Sequence, residues 1–156
     1  MKRSEATQRA SLAGVTVLIM ENSQHNKWMA IAYREALKAN SIGEVPVGCV
    51  IVKDGLAIGR GHNCTITKND PVGHAELLAI RRAAHRTGNW RLTGAQAYVT
   101  VKPCRMCQSA FAWARIDTIY YGSRPNKPEP PNKISMRYVK HNDAGVLMQC
   151  FFSKRR

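Results

Sequence analysis

Hydrophobic positions change their period several times along the chain, and each change marks an element. From His25 to Asn40, Trp28, Ala32, Tyr33, Ala36 and Ala39 fall on one stripe of a helix. Val45 to Val52 is an apolar, β-branched run with Gly48 inside it, and Lys53-Asp54-Gly55 is a hairpin turn from which Leu56 to His62 returns as a second strand. A polar loop, Asn63 to Asn69, leads to Asp70-Pro71, which reads as an N-cap with proline at the first helical position. That helix runs through Leu77, Leu78, Ile80 and Ala84 and stops near Gly88. Ala95 to Val101 is a third strand, Pro103 opens a helix that carries Phe111 and Trp113 and ends near Arg115, and Ile116 to Tyr121 is a fourth strand. Beyond Gly122 four prolines within Pro125 to Pro131 exclude a regular element. Met136 to Lys140 then reads as a short last strand and Val146 to Lys154 as a short terminal helix. The order ββαβαβ, with long crossovers, predicts an α/β fold of three layers, α/β/α, around a mixed sheet of about five strands.

Composition narrows what such a fold can serve. The 156 residues suit one domain, expected over 25–156, with no internal repeat. No apolar run approaches the roughly 20 residues that cross a bilayer, so no membrane partner is expected. Residues 1–24 read as a dispensable extension. Lys2, Arg3 and Arg9 before the short apolar stretch Leu12 to Met20 faintly imitate a secretory signal, and an organellar address is another reading of the same acid-poor start. The formal charge is +14, and residues 122–156 hold eight basic and two acidic side chains. A field of this sign favours a polyanion, because each neutralised phosphate releases counterions; a basic proteome or a membrane surface is the plainer alternative. The five cysteines, Cys49, Cys64, Cys104, Cys107 and Cys150, are odd in number and include one C-x-x-C, which points to a reducing, cytoplasmic setting and to metal chemistry. Cys49 and Cys64 lie in or beside apolar strands and read as packed thiols.

Two clusters carry chemistry: His74-Ala75-Glu76 and Pro103-Cys104-Arg105-Met106-Cys107. Each falls in the first turn of a predicted helix, and two thiols three positions apart share a helix face. With His74 they supply three ligands for a tetrahedral zinc whose fourth position stays open for water, as in a catalytic site. Zinc draws the pKa of bound water towards about 7, which makes a nucleophile available at neutral pH. Glu76 is suited to shuttle protons beside the metal rather than to bind it. A structural site would instead recruit a fourth ligand, for which Cys64, His62 and His85 are nominees. The arrangement H-x-E…P-C-x-x-C is the signature of zinc nucleobase deaminases.

Longer stretches extend the likeness. Glu44-Val45-Pro46-Val47-Gly48, Asp70 to Glu76, Asn89-Trp90-Arg91-Leu92, Tyr98-Val99-Thr100 and Pro103 to Cys107 resemble the tRNA-specific adenosine deaminase family in order and spacing, over roughly residues 25–124. The resemblance implies the cytidine-deaminase-like fold, a homodimer, one zinc per subunit, and hydrolytic deamination of the wobble adenosine in a tRNA anticodon. It also implies that Asn63 hydrogen-bonds the flipped base and that Val47 lines the pocket. Phe151, Phe152, Lys154, Arg155 and Arg156 resemble the aromatic and basic tail that contacts the anticodon arm, a combination suited to single-stranded RNA. Two departures fall on the substrate side: Lys102 and Pro125 stand where the family carries acidic residues, and the segment from Gly122 onward is short. Rival readings are a deaminase of free guanine or cytosine and a non-catalytic RNA-binding subunit, the latter disfavoured by the presence of Glu76.

Overall fold

The computed structural model describes residues 3–124 and 134–155. The elements run α1 (Arg3–Ser41), β1 (Gly48–Lys53), β2 (Leu56–His62), α2 (Ala75–Thr87), β3 (Gln96–Val99), α3 (Arg105–Trp113), β4 (Thr118–Tyr121), β5 (Met136–Tyr138) and α4 (Asn142–Ser153). The five strands form one sheet in the order β2-β1-β3-β4-β5. β1 is antiparallel to both β2 and β3, while β3, β4 and β5 are mutually parallel. The expected mixed sheet between helices is therefore present.

Strand alternation divides the core in two. Cys49 and Ile51 of β1, Ala97 and Val99 of β3 and Ile119 of β4 face Ala75, Ala79 and Ala83 of α2 and Phe111 of α3. Val50, Val52, Tyr98 and Tyr120 face Trp28, Met29, Ile31 and Ala32 of α1. Tyr98 and Tyr120 stack with their ring centroids 4.8 Å apart. The alanine stripe of α2 has a purpose on the other side of the contact. A Cβ on Gly59 or Gly61 of β2 would fall on the carbonyl oxygen of Ala79 or Ala75, so α2 lies directly on backbone there, as only glycine permits.

Several boundaries differ from the sequence expectation, for local reasons. α1 begins at Arg3 instead of His25, so residues 3–24 continue the same helix. The apolar run before β1 is not strand up to Gly48, because Pro46 has no N–H and the Val47 amide turns back to Val45 O at 2.8 Å. The helix expected from Pro71 starts only at Ala75. The Asp70 carboxylate is occupied by the Val72 amide at 3.0 Å, an Asx turn rather than a helix cap. The hairpin Asp54-Gly55 has positive φ at both residues, 50° and 71°, the turn that matches strand twist. Strand β2 is an outer strand, and Arg82 and Arg86 of α2 donate to its carbonyls at Arg60 (2.8 Å) and Ala57 (3.2 Å). Pro125 to Pro131 and Arg156 lie outside the described residues.

Candidate metal centre and pocket

Antiparallel pairing of β1 with both neighbours brings the start of β1 beside the ends of β2 and β3: Gly48 pairs with His62, and Cys49 with Val99. The segments leaving those strands stay together. Asn63 N donates to Val47 O at 3.1 Å, Thr100 N to Gly48 O at 3.1 Å, and Gly48 N to Thr100 Oγ1 at 3.1 Å. The N-termini of α2 and α3 open at this same end of the sheet.

His74 and Cys104 are the N-cap residues of α2 and α3, both extended, and neither side chain caps its helix. That leaves imidazole and thiol free, beside helix ends whose unpaired N–H groups carry partial positive charge. His74 Nδ1 lies 3.7 Å from Cys104 Sγ and 3.5 Å from Cys107 Sγ, and the three donor atoms lie within 4.8 Å of one another. Zinc bonds of about 2.0–2.1 Å to nitrogen and 2.3 Å to sulfur at tetrahedral angles place N and S about 3.6 Å apart, so this donor set fits the ion. Hydrogen bonding from Cys107, more than any other influence, lowers the Cys104 thiol to about 5, against burial that opposes it. The Cys107 thiol is pushed the other way, by the bond to Cys104 and by burial. The pair thus splits in opposite directions, with Cys104 the thiol favoured in its anionic form. Among the described residues no fourth protein ligand joins the group: Cys64 is buried outside it, His62 Nδ1 is 3.1 Å from Glu35 Oε2, and His85 sits in the last turn of α2.

Glu76, in the first turn of α2, is buried, and its Oε2 has no hydrogen-bond partner. Burial raises its pKa, partly offset by its own backbone N–H and by His74. A buried oxygen without a partner usually marks an absent ligand or water. Gln108, which the sequence reading missed, donates from Nε2 to Pro103 O at 2.7 Å and so holds the loop that presents Cys104. Asn63 and Val47 are both buried, and Asn63 Nδ2 lies 3.5 Å from Glu44 Oε2. Glu44 was legible only as part of a motif, with no role attached.

The tail divides differently from expectation. Phe151 is buried, and Arg155 lies over its ring at 4.2 Å while donating to Gly43 O. Phe151 is therefore a packing residue, not an RNA-stacking face, and Arg155 is already engaged within the protein. Phe152 and Lys154 are exposed. A cavity of about 330 Å³, lined by His25, Trp28, Tyr98, Tyr120 and Arg137 among others, contains none of the candidate site residues.

The profile of the cytidine and deoxycytidylate deaminase zinc-binding region matches residues 22–123. The chain belongs to that family. A tRNA-specific adenosine deaminase of Streptococcus pyogenes is 46% identical over 100 residues, 64% of this chain and 63% of the relative. The chain thus spans a little under two thirds of that relative's length. One from Aquifex aeolicus is 34% identical over 142 residues, covering 83% of this chain and 94% of the relative. A solved tRNA:A34 deaminase, described as editing A to I at the wobble position of transfer RNA, superposes with a TM-score of 0.66 at 36% identity, over 72% of this chain and 97% of that one. Family membership carries zinc with it, and the His/Cys/Cys donor set agrees.

Proposed function

We propose that this protein hydrolyses the wobble adenosine of a tRNA anticodon to inosine, releasing ammonia. The observation that carries the reading is the set of three donors at tetrahedral spacing beside the unpartnered, buried Glu76 Oε2. His74, Cys104 and Cys107 hold one zinc per chain. Bound there, zinc supplies the acidity that makes water a nucleophile at neutral pH. Glu76 Oε2 takes one proton from the attacking water and passes it to the purine ring nitrogen, then takes the second from the added hydroxyl and passes it to the amine, which leaves as ammonia. Burial favours this role, since a carboxyl with a raised pKa gives up and recovers a proton near neutral pH more readily. Asn63 offers an amide to the flipped base and Val47 an apolar wall.

The choice of tRNA rests on the named relatives and on charge. Of the Lys and Arg side chains described, only Lys38 makes an ion pair, so most of the described positive charge is not neutralised by carboxylates, which suits a phosphate partner. Phe152, Lys154 and Arg156 are the tail residues assigned to the anticodon arm. The protein works as a homodimer, for which Met106 and the 73%-exposed Trp113 on α3 offer apolar surface. Five unpaired cysteines suit a cytoplasmic enzyme. Residues 1–24 are dispensable for the reaction, a reading supported by the family profile, which begins only at residue 22.

The deciding experiment incubates purified protein with an anticodon stem-loop carrying adenosine at the wobble position, and separately with free adenine, guanine and cytosine. Inosine should form in the stem-loop alone. Conversion of a free base without the stem-loop would replace this reading with that of a small-molecule deaminase.

A further inference from the structure

Glu44 is fully buried, yet no lysine, arginine or histidine among the described residues pairs with it. A buried carboxylate without a cation is costly to a fold unless its oxygens are well supplied with donors. Here the donors are local. Glu44 Oε1 accepts from Thr67 N at 2.6 Å, and Oε2 faces Asn63 Nδ2 at 3.5 Å. Burial alone would raise its pKa, but hydrogen bonds from the Thr67 and Ile66 amides, the Thr67 hydroxyl and the Asn63 side chain together hold it below the ordinary carboxylate value, so it is an anion at neutral pH. None of these donors is a group a stable core requires: Thr67 and Ile66 belong to a surface loop, and the remaining donor is the side-chain amide assigned to the substrate.

We propose that Glu44 is a positioning residue whose carboxylate fixes which end of the Asn63 amide faces the substrate. The inference rests on the reading of Asn63 as a base-contacting group given under Proposed function. A carboxylate only accepts hydrogen bonds, whereas an amide side chain has one end that accepts and one that donates. The two ends of asparagine have nearly the same shape, so sterics alone do not choose between them. Glu44 chooses. With Nδ2 turned to Glu44, Oδ1 and the second N–H are left for the base. The inverted amide would set Oδ1 against a carboxylate oxygen, acceptor against acceptor. The backbone of Asn63 is already pinned by its N–H bond to Val47 O, so the amide plane is the freedom that remains to be set.

Glu44→Gln tests this with almost no change of volume. The substituted amide can keep the Thr67 bond through its oxygen, but it then presents N–H groups to Asn63 Nδ2, donor against donor, and Asn63 inverts. In the full-length, zinc-loaded enzyme, kcat/KM on the anticodon stem-loop should fall by about 10- to 100-fold, the range for groups that orient a ligating residue. Zinc content should stay unchanged. In an Asn63→Ala background the same substitution should cost less than about twofold, because its target is gone. The side-chain amide signals of Asn63 in a ¹H–¹⁵N spectrum, identified by their loss in Asn63→Ala, should move in Glu44→Gln. Equal losses in both backgrounds, or unmoved Asn63 signals, would overturn the proposal. If wild-type protein fails to deaminate the stem-loop, the substrate reading falls by itself. The amide signals then still decide whether Glu44 orients Asn63.

Discussion

Replacing Gly61 with alanine should injure the candidate centre from the far side of helix α2. The new Cβ meets the Ala75 carbonyl oxygen first, then Ala79 N at 2.9 Å and Leu78 Cβ at 3.1 Å. Two of these three are backbone atoms of α2, so no side-chain rotation relieves the overlap. Comfortable separations between such atoms are about 3.5–4.0 Å, and the helix has to retreat by on the order of 1 Å. Overpacking of this kind costs about 1–3 kcal/mol. For a chain of this size that lowers the melting temperature by roughly 2–12 °C. The chemical loss should be larger than the loss of stability suggests. Ala75 stands between His74 and Glu76, so both move with the helix end, and a displacement of about 1 Å at a reacting centre can cost about 10²-fold. Thermal unfolding and deamination of the stem-loop, measured on the same preparation, check both numbers. A Gly61→Ala protein with the melting temperature and rate of wild type would refute the claim that glycine is needed for this contact.

Three further outcomes follow from the same geometry. Wild type should carry zinc at close to one per chain by elemental analysis, Cys104→Ala and Cys107→Ala should each lose it, and full retention in both would remove these thiols from the ligand set. Glu76→Gln should keep its zinc and its fold while turnover drops by about 10²–10⁴, the usual share of a general acid–base group; a near-normal rate would end its role as proton carrier. Glu35 is buried and bonded to Lys38 Nζ at 2.7 Å and His62 Nδ1 at 3.1 Å. Although burial pushes its carboxyl up, these partners hold it below its ordinary value of 4.5. Its stabilising contribution is therefore present above the unfolded-state pKa and is lost as pH falls through the folded one. The melting gap between wild type and Glu35→Gln should be full above the ordinary carboxylate value of 4.5 and shrink as pH falls below it, and a gap that widens in acid would show the sign to be wrong.

Much of this architecture is legible because it is local. The turn at Asp54-Gly55, the alternation of β1 and β2 and the paired clusters at His74 and Cys104 each announce themselves within a few residues. His74 lies 30 and 33 positions from Cys104 and Cys107, yet the three are found together because each cluster opens a helix that follows a strand of one sheet. What escaped depends on partners distant in sequence. The Glu44 bridge to Asn63 spans 19 residues and needs the loop carrying Thr67 to close over it. Asp70-Pro71 carries every sign of a helix start, but the Asp70 oxygen is taken by Val72, and the helix waits for His74. Phe151 and Phe152 are adjacent and chemically identical, and only the heptad-like spacing of Ala144, Met148 and Phe151 reveals which one turns inward.

The guanidinium groups on β2 bear on how copies of this protein meet. An outer strand with open carbonyls is a template for another chain, and a partly unfolded neighbour is the chain most often at hand. Here the acceptors at Ala57 and Arg60 are occupied by Arg86 and Arg82, and any approaching strand meets positive charge. Growth of the sheet past β2 is thereby discouraged. A protein carrying this much charge stays dispersed through repulsion while folded, and the two arginines extend that protection to the β2 edge of the sheet.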